Sequence, residues 1–86
     1  MRARRLPVED RIDRHGEAVV LVDRHVVHLS PLAVVLVDCC SDWTDECDLT
    51  QAALDRFGPP PDGVDPRAAT LEALTALRDR GVLELG

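Results

Sequence analysis

The side chains best suited to metal or nucleophilic chemistry are three histidines, His15, His25 and His28, and three cysteines, Cys39, Cys40 and Cys47. A zinc site would need a cysteine to converge with His25 and His28. The spacing opposes this: no C-x-x-C is present, and adjacent cysteines rarely turn both thiolates onto one ion. A Cys/His nucleophilic pair needs an accessible thiol of low pKa. Cys39 and Cys40 instead close an apolar stretch, where burial raises the pKa and makes a thiol inert. The carboxylates are numerous but scattered, so no acid–base pair can be argued, and no glycine-rich phosphate loop occurs. These residues read as solvated histidines and core cysteines. We expect no catalytic residue, no metal, no cofactor and no enzymatic activity.

The groups left with work to do belong to the backbone. The chain centres on His25–Leu29 running into Ser30–Pro31–Leu32. Val26–Leu29 is a short apolar strand. Ser30 is a favoured helix N-cap and Pro31 a favoured first helical residue, so the strand should turn directly into a helix over Leu32–Cys40. The valines in that segment favour a strand, but the cap decides for a helix, apolar all round and central in the domain. Before it, Ala18–Val22 is a β-branched run, and the polar gap Asp23–Arg24 makes a hairpin with the next strand. That turn has neither Gly nor Asn, which leaves its type open. Within the second strand of the hairpin, Val27 and Leu29 should face the core, with Val26 and His28 on the other face. Earlier still, Leu6–Asp13 shows a weak alternation that suggests an edge strand, followed by a turn at Asp13–Gly16. Met1–Arg5, with three arginines, is expected to fray.

Two further helices follow. The second starts at Thr44 or Asp45, runs to Phe57 with Leu49, Ala53, Leu54 and Phe57 on its apolar side, and stops at Gly58 before a run of prolines. The third is predicted over Pro66–Arg80, with Asp65 as its cap and Thr70, Ala73, Leu74 and Leu77 as its core stripe. Ala69, Ala73, Ala76 and Arg80 share a face of small residues that would leave a shallow groove. Gly81 ends the helix, and Val82–Leu85 should pack back as an extended tail. If Val26–Leu29 is a sheet edge, an extended peptide could add to it beside that groove. The alternative is that the strand is simply covered, and periodicity does not choose between them.

Composition narrows the partners. The 86 residues allow one domain with a thin core, and 45% apolar content is enough to fold. A net charge of −6 and only Trp43 and Phe57 as aromatics disfavour nucleic acid. The longest apolar run, Leu32–Val37, is too short to span a bilayer, and no signal peptide is apparent, so we expect a cytoplasmic, reduced protein without membrane contact.

The stretch from Glu17 to Glu84 resembles the PqqD-like family of precursor-peptide recognition domains. The carrying residues are Val19–Val20–Leu21–Val22–Asp23, then His28–Leu29–Ser30–Pro31, the apolar helix closing at Val37–Asp38–Cys39, Leu49 with Ala53–Phe57, and Leu74, Leu77, Arg78 with Gly81–Glu84. The resemblance implies an α+β fold: a small winged-helix-like domain, with a three-stranded antiparallel sheet followed by three helices. It implies a peptide chaperone that binds the leader of a ribosomally made precursor as an added strand. The leader would then be presented to a modifying enzyme, such as a radical, protease or cyclase component. Carried onto this chain, the peptide-binding residues are Val26, Val27, His28 and Leu29 on the strand and Ala69, Ala73, Ala76 and Arg80 on the third helix. Ser30 stands where the family usually has Asn, and the Gly58–Val64 loop is long and proline-rich; neither is expected to touch the groove. Two rival readings stay open. One is a winged-helix DNA-binding regulator using Arg67, Arg78 and Arg80. The other is a structural subunit of an enzyme complex. A homodimer through the exposed strand is also open.

Overall fold

The computed structural model describes residues 1–86 and is an α+β domain of two three-stranded antiparallel sheets and three helices. The first sheet is a meander of β2 (Asp10–Arg14), β3 (Glu17–Val22) and β4 (His25–Leu29), in that order across the sheet. Both its turns are two residues long with positive φ throughout: His15 (54°) and Gly16 (81°), then Asp23 (48°) and Arg24 (67°). That is the type I′ geometry, whose twist matches the strands it joins. The second turn manages it without glycine; the Arg24 N–H donates to Glu9 Oε1 at 3.3 Å. An L-residue in the left-handed region is strained. Arg24→Gly is therefore expected to stabilise the domain by about 0.5–1 kcal/mol after glycine's own entropy cost, raising Tm by roughly 2–8 °C. A melt that moves down instead would show that the arginine side chain contributes more than its backbone costs.

The expected facing of β4 holds: Val27 and Leu29 are buried with Ala18 and Val20 of β3, while Val26 and His28 are exposed. β2 is an edge strand as anticipated, though shorter than the predicted alternation. Its Ile12 faces water at 65% exposure. Its inward side carries Arg11 and Asp13 instead. Arg11 bonds Asp38 at 2.7 Å and Asp13 at 2.7 Å, and these two carboxylates raise its already high pKa further. Asp38 sits in the last turn of the first helix, where a carboxylate opposes the dipole, and Arg11 offsets it.

That helix, α1 (Pro31–Cys39), starts as predicted: Ser30 Oγ accepts from the Ala33 N–H at 3.2 Å, and Pro31 occupies the first turn. It is not buried all round. Ala33, Leu36 and Val37 are buried, Leu32, Val34 and Val35 half-buried, and Cys39 exposed. A thin domain has no second layer to cover the far side of its central helix. The cysteines consequently divide. Cys40 is buried, and loss of solvation pushes its thiol up to about 11. Cys39 and Cys47 are exposed, which corrects the expectation of core cysteines. Asp45 raises the Cys47 thiol pKa through a hydrogen bond and its charge. A thiol reagent near pH 8 should modify Cys39 first, Cys47 more slowly, and Cys40 only on unfolding; peptide mapping after timed quenching checks the order.

The second sheet was not anticipated. β1 (Arg2–Arg5) is its central strand, between β5 (Thr44–Asp45) and β6 (Leu83–Leu85). The residues expected to fray thus hold both neighbours together. Ala3 is fully buried, Arg2 and Gly86 exchange backbone bonds of 2.9 and 2.8 Å, and the Arg5 N–H donates to the Cys40 carbonyl at 2.9 Å. Two of the three arginines of β1 are accommodated on the outer face. Arg2 and Arg4 lie over the Trp43 ring at 5.5 and 4.8 Å, and Arg4 pairs with Glu84. The predicted C-terminal tail is β6 of this sheet. The expected order of one sheet and then three helices is therefore only partly met, because β5 interrupts the helices and β6 follows them.

The remaining helices close the core. In α2 (Glu46–Phe57), Asp45 caps by accepting from the Cys47 N–H at 2.9 Å, and Gly58 ends the helix at φ 76°. In α3 (Pro66–Asp79), Asp65 caps and Thr70, Leu74 and Leu77 are buried, matching the predicted stripe. Buried Glu46 bonds Arg67 at 2.9 Å, joining α2 to α3. Leu29, Leu36, Leu49, Leu74, Leu83 and Val20 meet as the centre of one cluster drawn from both sheets and all three helices.

Candidate peptide-binding edge

The hairpin register determines which backbone groups of β4 are free. A two-residue turn makes its flanking residues a hydrogen-bonded pair, and such pairs then alternate along an antiparallel ladder. Val22 pairs with His25, Val20 with Val27 and Ala18 with Leu29. Those three β4 residues aim their N–H and C=O at β3. Val26 and His28 aim theirs the other way, at the open side of the sheet. No turn, loop or cap elsewhere in the chain takes them up.

The two edges of this sheet differ. Along β2 the residues are Asp10, Arg11, Ile12, Asp13 and Arg14, and the Arg11 N–H is held by the Asp10 carboxylate at 2.8 Å. Charge and a capped donor are the usual defences of an edge against another strand. β4 has none of them: His25–Val26–Val27–His28–Leu29 contains no Lys, Pro, Asp or Glu. Burial of Val27 and Leu29 fixes its register and keeps the outward backbone groups in place.

An apolar cleft of about 330 Å³ opens among the three helices. It runs between the N-terminal turn of α1 and the facing parts of α2 and α3, and its walls include Leu32, Ala53, Leu54, Phe57 and Ala69. Leu32 follows the end of β4 by three residues. Phe57, at 46% exposure, is one of few large apolar side chains left uncovered. Gly58, Pro59, Pro60 and Pro61 line the cleft as well. The proline-rich loop, expected to stay clear of the groove, is thus part of the cleft that holds Ala69. The α2 C-terminus ends on Gly58, and the prolines that follow stiffen this wall of the cleft.

The residues anticipated on α3 are spread out. Ala69 lines the cleft, Ala73 is half-buried against the core, and Ala76 and Arg80 are exposed further along. The helix packs chiefly on α2, β6 and α1. Leu32, Leu54, Phe57 and the prolines were missed because the pattern reading assigned them to core or linker. Phe57 carried a usable signal: an aromatic in the last turn before a helix-stopping Gly-Pro-Pro-Pro run has little chain left to cover it.

Other polar clusters have no comparable geometry. His28 Nε2 lies 3.5 Å from Glu17 Oε1 on the outer face, near His15 and Arg14. No group of three or more His, Cys, Asp or Glu side chains is placed to hold a metal ion. No helix is long and apolar enough to cross a membrane. The candidate site is therefore an unpaired strand margin, followed in the chain by Leu32, which lines an apolar cleft among the helices. No family model, no curated protein and no solved structure matches this chain.

Proposed function

We propose that this chain is a non-catalytic recognition domain that binds the leader of a ribosomally made precursor peptide by strand addition at β4. It presents the rest of that peptide to a modifying enzyme of natural-product biosynthesis in the cytoplasm. The observation that carries the reading is the undefended β4 margin, where Val26 and His28 hold their backbone donors and acceptors outward. Main-chain bonds to those groups give affinity, and an apolar side chain in the cleft at Ala69 and Phe57 gives selectivity. The resemblance to PqqD-like domains, and the winged-helix-like arrangement it implies, support the same reading.

A DNA-binding role is less well supported. Of its three arginines, Arg67 is bonded to Glu46 at 2.9 Å and Arg78 to Asp79 at 3.1 Å. Little free positive charge remains on α3 to offset a net −6.

The test is a titration of the isotopically labelled chain with the precursor peptide encoded beside it. Amide signals of Val26, His28 and Ala69 should shift together and saturably. Unmoved β4 amides would rule out strand addition. Salt-sensitive retention on duplex DNA would restore the regulator. Capture of the modifying enzyme alone, with no dependence on peptide, would leave a structural subunit.

A further inference from the structure

The outer face of the first sheet carries more apolar surface than a solvated face needs. Val26 is 71% exposed and Ile12 65%, with Val19 beside them. Cross-strand pairing arranges these side chains in rows: Asp10–Leu21–Val26 and Ile12–Val19–His28. Both rows run toward β4 and stop at its open margin. A row that ends in an exposed valine at an unpaired edge lacks a neighbour on one side.

We infer that the guest strand is read on both of its faces, with Val26 selecting an apolar outward residue and His28 marking a polar one two positions away. This rests on the strand-addition reading above. In an antiparallel guest, the residue opposite Val26 and the residue opposite His28 are the hydrogen-bonded partners, so their side chains share the outer face with Val26 and His28. The residue between them lies opposite Val27 and points to the inner, helix-covered side. The inner residue sits beside buried Val27, where an apolar side chain continues the inward Val20–Val27 row. The outward residue opposite Val26 extends the Leu21–Val26 row, where a β-branched or aromatic side chain makes the favourable cross-strand pair. The residue opposite His28 joins an imidazole already near the Glu17 carboxylate, a polar setting. The substrate class is therefore a leader segment of the pattern polar–apolar–apolar, read in the guest's own N-to-C direction.

A library of random twelve-residue peptides, displayed and selected on the immobilised full chain, tests this. Selection on the wild type should enrich the three-residue pattern in ligands that shift the Val26 and His28 amides. Selection on Val26→Lys should change the third position to Asp or Glu and keep the middle position apolar. One wild-type ligand should bind Val26→Lys about three- to tenfold more weakly and regain affinity when its third residue becomes Glu. Ile12→Lys, on the far strand of the same face, should leave the consensus unaltered. Val26→Thr keeps the β-branched shape, and should retain the wild-type consensus with weaker enrichment at the third position. If ligands shift the β4 amides but Val26→Lys selects the wild-type consensus at every position, two-faced reading is wrong and strand addition stands. If the wild type selects no ligand that shifts these amides, both are wrong.

Discussion

Val26→Pro should destroy peptide capture and leave the domain folded. Position 26 is one of two in β4 whose N–H points away from β3. Proline there removes no ladder bond within the protein, and edge strands accept proline where the N–H faces solvent. Its side chain is largely exposed, so little buried area changes. A guest strand, however, loses a donor and meets the pyrrolidine ring where its own carbonyl should sit. Each main-chain bond is worth about 0.5–1.5 kcal/mol net, and the ring's steric conflict adds to that. We expect affinity for the precursor peptide to fall at least tenfold, with Tm within a few degrees of the wild type. Val27→Pro is the opposite case. Val27 is 4% exposed and hydrogen-bonded to Val20, so the change removes a ladder bond and a packed core side chain together. It should fail to fold cooperatively. Calorimetry of binding and a thermal melt on both variants separate the outcomes. Equal binding by wild type and Val26→Pro would place the peptide somewhere other than this margin.

Removing Met1–Arg5 should have the largest effect on stability. A frayed terminus could be trimmed without consequence. Here the segment is the middle of a sheet, and its loss strands β5 and β6 with no partner. It also uncovers the core beneath Ala3 and frees the Arg5–Cys40 bond that ties the sheet to the end of α1. A domain of this length has only about 4–13 kcal/mol of stability in total. The truncated chain should lose its cooperative transition, or melt at least about 15 °C lower. A truncated protein with an unchanged melt would mean that the second sheet contributes nothing to the fold.

These two predictions mark where the amino-acid pattern was informative. Local signals are strong around β4 and the helices. Ser30–Pro31, Asp45, Gly58, Asp65–Pro66 and Gly81 each place an element end within a residue or two, because capping is decided by neighbours in the chain. Alternation pairs Val27 with Leu29, and the step from Leu29 into the helix turns that pair inward. The second sheet is a different matter. Arg2–Arg5 contains one small apolar residue, and its strand exists because Thr44–Asp45 and Leu83–Leu85 meet it from distant parts of the chain. Such pairings leave no periodic trace. The Asp23–Arg24 turn was legible as a hairpin but not as type I′, since neither residue is a usual one for positive φ. At the site, the strand itself was readable, but neither the openness of its margin nor the cleft was. Leu32, Phe57 and Pro59–Pro61 come together only through the packing of three helices, and residues that pattern rules assign to core or linker can line an opening instead.

The pairing of β1 with β6 bears on how the chain is made. Ala3 meets Leu85, so the sheet cannot close until the whole of this stretch has left the ribosome. At about 5–20 residues per second that is a wait of several seconds, during which β1 has at most β5 on one side and nothing on the other. An apolar strand waiting that long would invite neighbouring nascent chains to pair with it. Arg2, Arg4 and Arg5 repel such company, so the same arginines that disguise the strand also guard it, until Trp43 and Glu84 arrive to receive Arg2 and Arg4.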